Sequence, residues 1–334
     1  MDKIKRMKII IGVLILACIG LTIGVIFLAV KALTISKIQG PKMSGVASVT
    51  SDRHGAPGQA SKKNFTSVPG VISDDDLRKF SEELLKSDEN NMAKFVTVNV
   101  DVNPDEGESL LDVDKEALDC ATIKALTELF VTFKAPVNVA DNLGDDYLSK
   151  KQDFLELIMD SEIMKITELW MINQGLFEDS NMTLHDIVDH IWFMPYAGSH
   201  SSSGFNDSTG FEHTFVGMKN DDKVLGLHNW VRFYELEQAG NVTFVEFFNQ
   251  TIFDGDLENK GSILKISFHW EDASKYSGTM FVGTSPELEM ALYTVCFMAR
   301  PNGKCPVQMN GKQFTITTMD HNRLRVIAVA NPNI

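Results

Sequence analysis

Apolar residues recur three and four apart through the first part of this chain and two apart through much of the rest. These periods belong to helices and strands that each bury one face. In "VISDDDLRKFSEELLKSDEN", Leu77, Phe80, Leu84 and Leu85 form one stripe. Ser73 stands where an N-cap belongs, and Asp74, Asp75 and Asp76 fill the first turn, where the helix dipole favours negative charge. The pattern predicts a helix from Asp74 and further helical segments over 117–132, 148–174 and 182–194. In the third of these, Phe154, Leu157, Ile158, Ile163, Met164, Ile166, Leu169 and Trp170 fall largely on buried faces. His185 and Asp189 lie four apart on the last, a spacing that can hold a metal, but no third ligand is in view.

From Gly198 the texture changes. "GSHSSSGFNDSTG" is a small polar loop with no lysine, which argues against a P-loop. Beyond it, "FEHTFVG", "VLGLHNWVRFYEL", "SILKISFHW", "GTMFVG", "FTITT" and "LRVIAVA" read as strands. One helix interrupts them in "SPELEMALYTVCFMAR", with Ser285 as cap, Pro286 at the first helical position and Leu288, Leu292 and Val295 inward. The expected fold is α+β, with a helical part over 71–197 and an antiparallel β-rich part over 198–330.

The N-terminus differs. Ile9 to Val30 is 22 residues without a charge, and such a helix spans roughly 33 Å, enough for a hydrocarbon core. Lys3, Lys5, Arg6 and Lys8 precede it and place residues 1–8 inside. The segment is too long for a cleaved signal core, so 9–30 reads as an uncleaved anchor. Gly20 and Gly24 within it have the spacing of a helix-pairing motif, for which ordinary helix packing is the simpler account. Residues 31–70, rich in Gly, Ser, Ala, Lys and Pro, read as a flexible stalk. The expectation is a single-pass type II membrane protein whose bulk is lumenal or extracellular. Sequons at Asn64, Asn181, Asn206, Asn241 and Asn249 all follow the anchor, as glycosylation would require.

Of four cysteines, Cys18 lies in the anchor and Cys120 has no evident partner. Cys296 and Cys305 flank "RPNG", a turn-forming stretch. An oxidising lumen permits a disulfide there, the alternative being two buried thiols. The formal charge is −14, which excludes the basic stripe of proteins that grip nucleic acid by bulk electrostatics. Any polyanionic substrate must be held locally or with the help of cations.

Two histidines stand out in "GFEHTFVGMKNDDKVLGLHNW". If two strands turn between Asn220 and Asp221, His213 faces His228 directly, with Cβ atoms roughly 5 Å apart. Two imidazoles together suit packing, a metal site or an acid/base pair. Zinc wants further ligands, and neither HExxH nor suitably spaced cysteines occur. A GxSxG serine elbow is absent. The acid/base pair remains, one ring taking a proton and the other giving one. Lys275, expected on a loop between two strands, could neutralise charge developing on a phosphate; otherwise it is a surface lysine.

"SSSGFNDSTGFEHTFVG", "GLHNWVRFYELEQAGNV" and "FVGTSPELEMALYTVCFMARPNGKC" together resemble the poly(U)-specific endoribonucleases, the EndoU family in its eukaryotic form. The resemblance runs over roughly 71–330. It implies a manganese- or calcium-stimulated (Mn2+ or Ca2+) endonuclease that cuts single-stranded RNA at uridines, leaving 2′,3′-cyclic phosphate and 5′-hydroxyl ends. By motif, His213 and His228 correspond to the catalytic histidines and Lys275 to the catalytic lysine. Glu212 matches a functional glutamate, and Thr318 a threonine of the uridine pocket. The metal ligands are unknown, and no protein partner is implied. Met218 replaces a family glutamate, Met319 an aromatic, and Tyr196–Ser199 departs from the family's "YSRG". The alternative is a weak or inactive RNA-binding ectodomain that keeps the fold.

Overall fold

The structure, a computed structural model, describes residues 72–103, 107–137, 139, 141, 143–177, 182–197, 206–255 and 258–334, with the side chains of 197, 206 and 207 left out. The expected anchor, Cys18, the stalk, Asn64 and Asn181 lie outside the described residues, as does the side chain of Asn206. Among the described residues no helix is long and apolar enough to cross a membrane.

Helix α1 (Asp74–Lys86) begins as expected, Ser73 accepting a hydrogen bond from the Asp76 amide, with Leu77, Phe80, Leu84 and Leu85 buried. A two-stranded ribbon follows, β1 (Val96–Val98) with β2 (Leu111–Val113). The helical segment expected over 117–132 is two helices, α2 (Lys115–Leu118) and α3 (Ala121–Phe130). That over 148–174 is also two, α4 (Asp145–Met159) and α5 (Glu162–Asn173), because Ser161 caps a new helix through the Met164 amide. Leu157 (40% exposed) and Leu169 (65%) lie on the outer faces instead of the core. Helix α6 (Leu184–Phe193) opens with a capping box made by Thr183 and Asp186.

A short pair, β3 (Tyr196–Ala197) and β4 (Asn206–Ser208), leads to a five-stranded sheet. Its strands are β5 (Met218–Asn220), β6 (Lys223–Leu225), β7 (Val242–Ile252), β8 (Ser262–Trp270) and β9 (Ala273–Val282), in the order β5-β6-β9-β8-β7. The sheet is mixed, since β6 meets β9 in parallel. Strands β10 (Gly303–Met309), β11 (Lys312–Asp320) and β12 (Ile327–Asn333) form a separate antiparallel sheet.

"VLGLHNWVRFYEL" is not one strand. Val224 and Leu225 end strand β6, Asn229 makes one isolated bridge to Phe281, and Trp230–Gln238 is helix α7, capped by the Asn229 side chain. Trp230, Val231, Phe233 and Leu236 form its buried face, a three-residue spacing that suits a helix.

Helix α8 (Pro286–Ala299) starts at Ser285 and Pro286 as expected, but every residue of it is buried. It packs against α1, α3, α4 and α5 on the helical side and against β10, β11 and β12 on the other. Trp192 donates its indole hydrogen to Thr294 at 2.9 Å, which satisfies a polar group inside this core. Cys296 and Cys305 are joined in a disulfide, with Cα atoms 5.4 Å apart. It ties the end of α8 to β10, while Cys120 is free.

Replacing both Cys296 and Cys305 by Ala releases a loop closed by a sequence separation of nine and costs about 2.5 kcal/mol by loop entropy. Urea denaturation of the variant and the parent gives that difference directly. No loss of stability would show that the bridge constrains nothing.

Candidate active site

The stretch around His213 is not a strand. Glu212–Val216 is a single π-helical turn, closed by the Gly217 amide donating to the Glu212 carbonyl at 2.8 Å. Such turns re-aim side chains at functional sites. Phe211 and Phe215 explain the choice of conformation. Four apart, they share a side in a helix as well as in a strand. Here both are fully buried, stacked at 5.2 Å and packed on Phe193 and Trp192. The Thr209 hydroxyl accepts from the Glu212 amide at 3.0 Å and fixes the start.

A hairpin does follow, but it turns between Asp221 and Asp222, with Lys219 opposite Val224. The histidines lie outside its ladder and come together differently. The Leu227 amide donates to the His213 carbonyl at 3.0 Å, and the His228 amide to the Thr214 carbonyl at 2.8 Å. Gly226 permits this approach. Its φ is +64°, and a Cβ there would lie 1.7 Å from the His213 carbonyl oxygen, so only glycine fits. A glycine inside an apolar run was the available sign of close backbone approach. The rings end 6.2 Å apart between centroids, tilted by 38°.

Lys275 is in strand β9 opposite Phe268, not on a loop. Its ammonium donates to the Gly226 carbonyl at 2.8 Å and acts electrostatically on both imidazoles. Burial, then Lys275, pushes His213 down from 6.5 to about 3. Burial, Lys275 and His213 likewise hold His228 well below the ordinary range, opposed by its bond to Thr279. Burial brings Lys275 down from 10.5 to about 8. His228 Nδ1 lies 2.7 Å from the Thr279 carbonyl oxygen. A carbonyl only accepts, so Nδ1 carries the hydrogen and neutral His228 presents a lone pair at Nε2.

Glu212 and Thr318 sit differently. Glu212 is 4% exposed; burial raises the nearby phenols of Tyr147 and Tyr196, and the Glu212 carboxylate adds to both to a lesser degree. Thr318 is fully buried, its hydroxyl donating to the Arg300 carbonyl at 3.1 Å. The accessible side of β11 carries Thr317 and Met319 instead. A direct substrate contact by Glu212 or Thr318 is therefore not supported by their burial. Asp189 is paired with Lys151 at 2.7 Å. Among the described residues no three His, Cys, Asp or Glu gather to hold a metal ion.

The sequence model of the family Endoribonuclease XendoU matches residues 76–332, and the chain belongs to that family. A uridylate-specific endoribonuclease of Bos taurus is 28% identical over 273 residues, covering 78% of this chain and 64% of the relative. One from Homo sapiens is 28% identical over 260 residues, covering 74% and 62%. The chain thus spans less than two thirds of the length of these relatives. A solved structure of XendoU, described as a splicing independent snoRNA processing endoribonuclease, has a TM-score of 0.64 at 25% identity. It covers 77% of this chain and 96% of that one.

The depressed histidines make stability acid-sensitive. Between about 3 and 6.5 folded His213 binds fewer protons than the unfolded chain. Its contribution is complete above 6.5 and falls as pH drops through the window, by about 1.4 kcal/mol per pH unit at most. Urea denaturation from pH 7 to pH 4 should show a shallower acid loss in His213→Gln than in the parent. Equal slopes would refute a half-buried His213 that the fold holds uncharged.

Proposed function

We propose that this chain is an endoribonuclease that cleaves single-stranded RNA at uridines, leaving 2′,3′-cyclic phosphate and 5′-hydroxyl ends. The observation that carries the reading is the juxtaposition of two imidazoles, 6.2 Å apart, with an ammonium acting on both. RNA supplies its own nucleophile, the 2′-hydroxyl. The protein must remove that proton, deliver one to the leaving 5′-oxygen and stabilise the charge on the phosphorane.

His228 Nε2 is the base, because Nδ1 is committed as a donor to Thr279. His213 is the acid. It is neutral in the free protein at pH 7, and an anionic phosphate beside it favours its charged form, so it takes a proton from solvent as the substrate binds and passes it to the 5′-oxygen. Lys275 holds the non-bridging oxygens. Its only change of role with pH is loss of its own proton near pH 8. Stimulation by Mn2+ or Ca2+ is part of the proposal, with no step routed through the ion.

The remaining expectations join this proposal. The anchor over 9–30 makes a type II membrane protein with a lumenal or extracellular catalytic domain. The Cys296–Cys305 bridge supports it, since disulfides persist in such compartments. Asn249 is exposed on β7, open to a glycan, and Asn241 lies just before that strand.

A uridine-containing oligonucleotide, incubated with and without Mn2+ or Ca2+, tests the reading through the chemistry of the product ends. The parent should cleave to cyclic phosphate ends. His213→Ala and His228→Ala should each lose about a thousandfold, within the range ascribed to general acid/base groups. Undiminished cleavage by the double variant would reject the assignment, and no cleavage by the parent in any arm would leave an RNA-binding ectodomain. In kcat/KM, the parent should fall more steeply above pH about 8, where loss of the Lys275 proton adds to the proton uptake that His213 needs. Lys275→Arg should abolish that steeper limb, since guanidinium does not deprotonate in this range. An unchanged limb would assign it to another group.

A further inference from the structure

Strands β9 and β12 belong to different sheets. β12 is the outer strand of its sheet, which is where Pro332, lacking an amide hydrogen, can sit. Side chains join the two strands. The Thr279 hydroxyl lies 2.6 Å from the Pro332 carbonyl, and a carbonyl only accepts, so the hydroxyl donates. The same hydroxyl then accepts from Asn331 Nδ2 at 3.1 Å. Asn331 Nδ2 also donates to the Pro332 carbonyl at 3.1 Å. Each donor and acceptor direction in this three-membered ring is fixed. Thr279 is buried and Asn331 half-buried.

The ring bears directly on the site, because the backbone carbonyl of this same Thr279 receives His228 Nδ1–H at 2.7 Å. A shift of Thr279 toward or away from β12 moves the one acceptor that orients His228. We propose that Asn331 is a positioning residue for the reaction, acting through Thr279 to hold His228 in the tautomer that leaves Nε2 as the base. This rests on the role given to His228 above. It adds a residue from the other sheet. Partners that fix the second nitrogen of a working histidine set both its tautomer and its aim.

The test uses the full chain labelled at histidine with nitrogen-15, with the His228 ring signals assigned by their loss in His228→Gln. The parent should show His228 as a single tautomer with hydrogen on Nδ1. Asn331→Ala and Thr279→Val should both populate the other tautomer. They should also lower kcat about tenfold, a part of what a general base contributes, with KM within about twofold. Thr279→Ser, which keeps the hydroxyl, should restore both properties. Valine is nearly isosteric with threonine, so that variant separates hydrogen bonding from packing. The inference is overturned if both variants keep the parent tautomer. It is also overturned if kcat falls only in step with thermal stability and serine does not rescue. If the parent cleaves no RNA, the proposed function fails, and the tautomer measurement still decides the positioning role.

Discussion

The site depends on two main-chain hydrogen bonds that are part of no sheet ladder. They run from the Leu227 amide to the His213 carbonyl and from the His228 amide to the Thr214 carbonyl. They bring together two segments that the hairpin alone would leave past its last paired residues, Met218 and Leu225. Their existence requires Gly226, because any larger residue would collide with the His213 carbonyl. They also require the π-helical turn, which directs that carbonyl toward the incoming strand. The turn in turn is held by Phe211 and Phe215 in the aromatic core of the helical side. The spacing of the two imidazoles is thus set by backbone and core.

Burial then determines the chemistry of the pair. In water an imidazole is half charged near 6.5, but here both rings favour the neutral form. Two charged rings beside an ammonium would repel one another in a medium that screens poorly. The resting state consequently offers two neutral imidazoles and one cation. A phosphodiester entering among them changes the balance, since its negative charge opposes that of Lys275. The same groups that disfavour a protonated histidine in the free protein become compatible with one once an anion is present. In the proposed reaction the substrate's own charge creates the acid.

The sequence was most legible where local chemistry settles local structure. Ser73 with its three following aspartates, and Ser285 with Pro286, marked two helix starts that the fold retains. The turn between Cys296 and Cys305 pointed to their bridge. It was least legible at the site. Phe211 and Phe215 satisfy both the strand and the helix period, so periodicity could not choose between them. Asn229 before Trp230 was a readable N-cap, yet the β-branched and aromatic residues around it favoured a strand reading. Gly217 and Gly226 move the backbone off any regular register, so a count of paired positions brought the histidines together for the wrong reason. Thr318 is buried where β11 meets α8, its hydroxyl bonded to the Arg300 carbonyl just beyond that helix, and no local pattern encodes that partner.

An acidic protein proposed to handle RNA must present positive charge without cancelling it, and two lysines near the hairpin show the contrast. Lys219 is bound to Glu271 and Asp272 on the turn before β9. Its charge is spent in that cluster. Lys275, four residues beyond Glu271, is bonded to the Gly226 carbonyl, a neutral acceptor. That bond aims the ammonium and leaves its charge available. Burial weakens its hold on its proton but stops near 8, so it remains mostly protonated at neutral pH. A single oriented cation beside two uncharged rings attracts one phosphate without a basic surface. The overall charge of −14 opposes accumulation of RNA elsewhere on the molecule. Local orientation of one lysine then does what a basic groove does in proteins that bind nucleic acid by bulk charge.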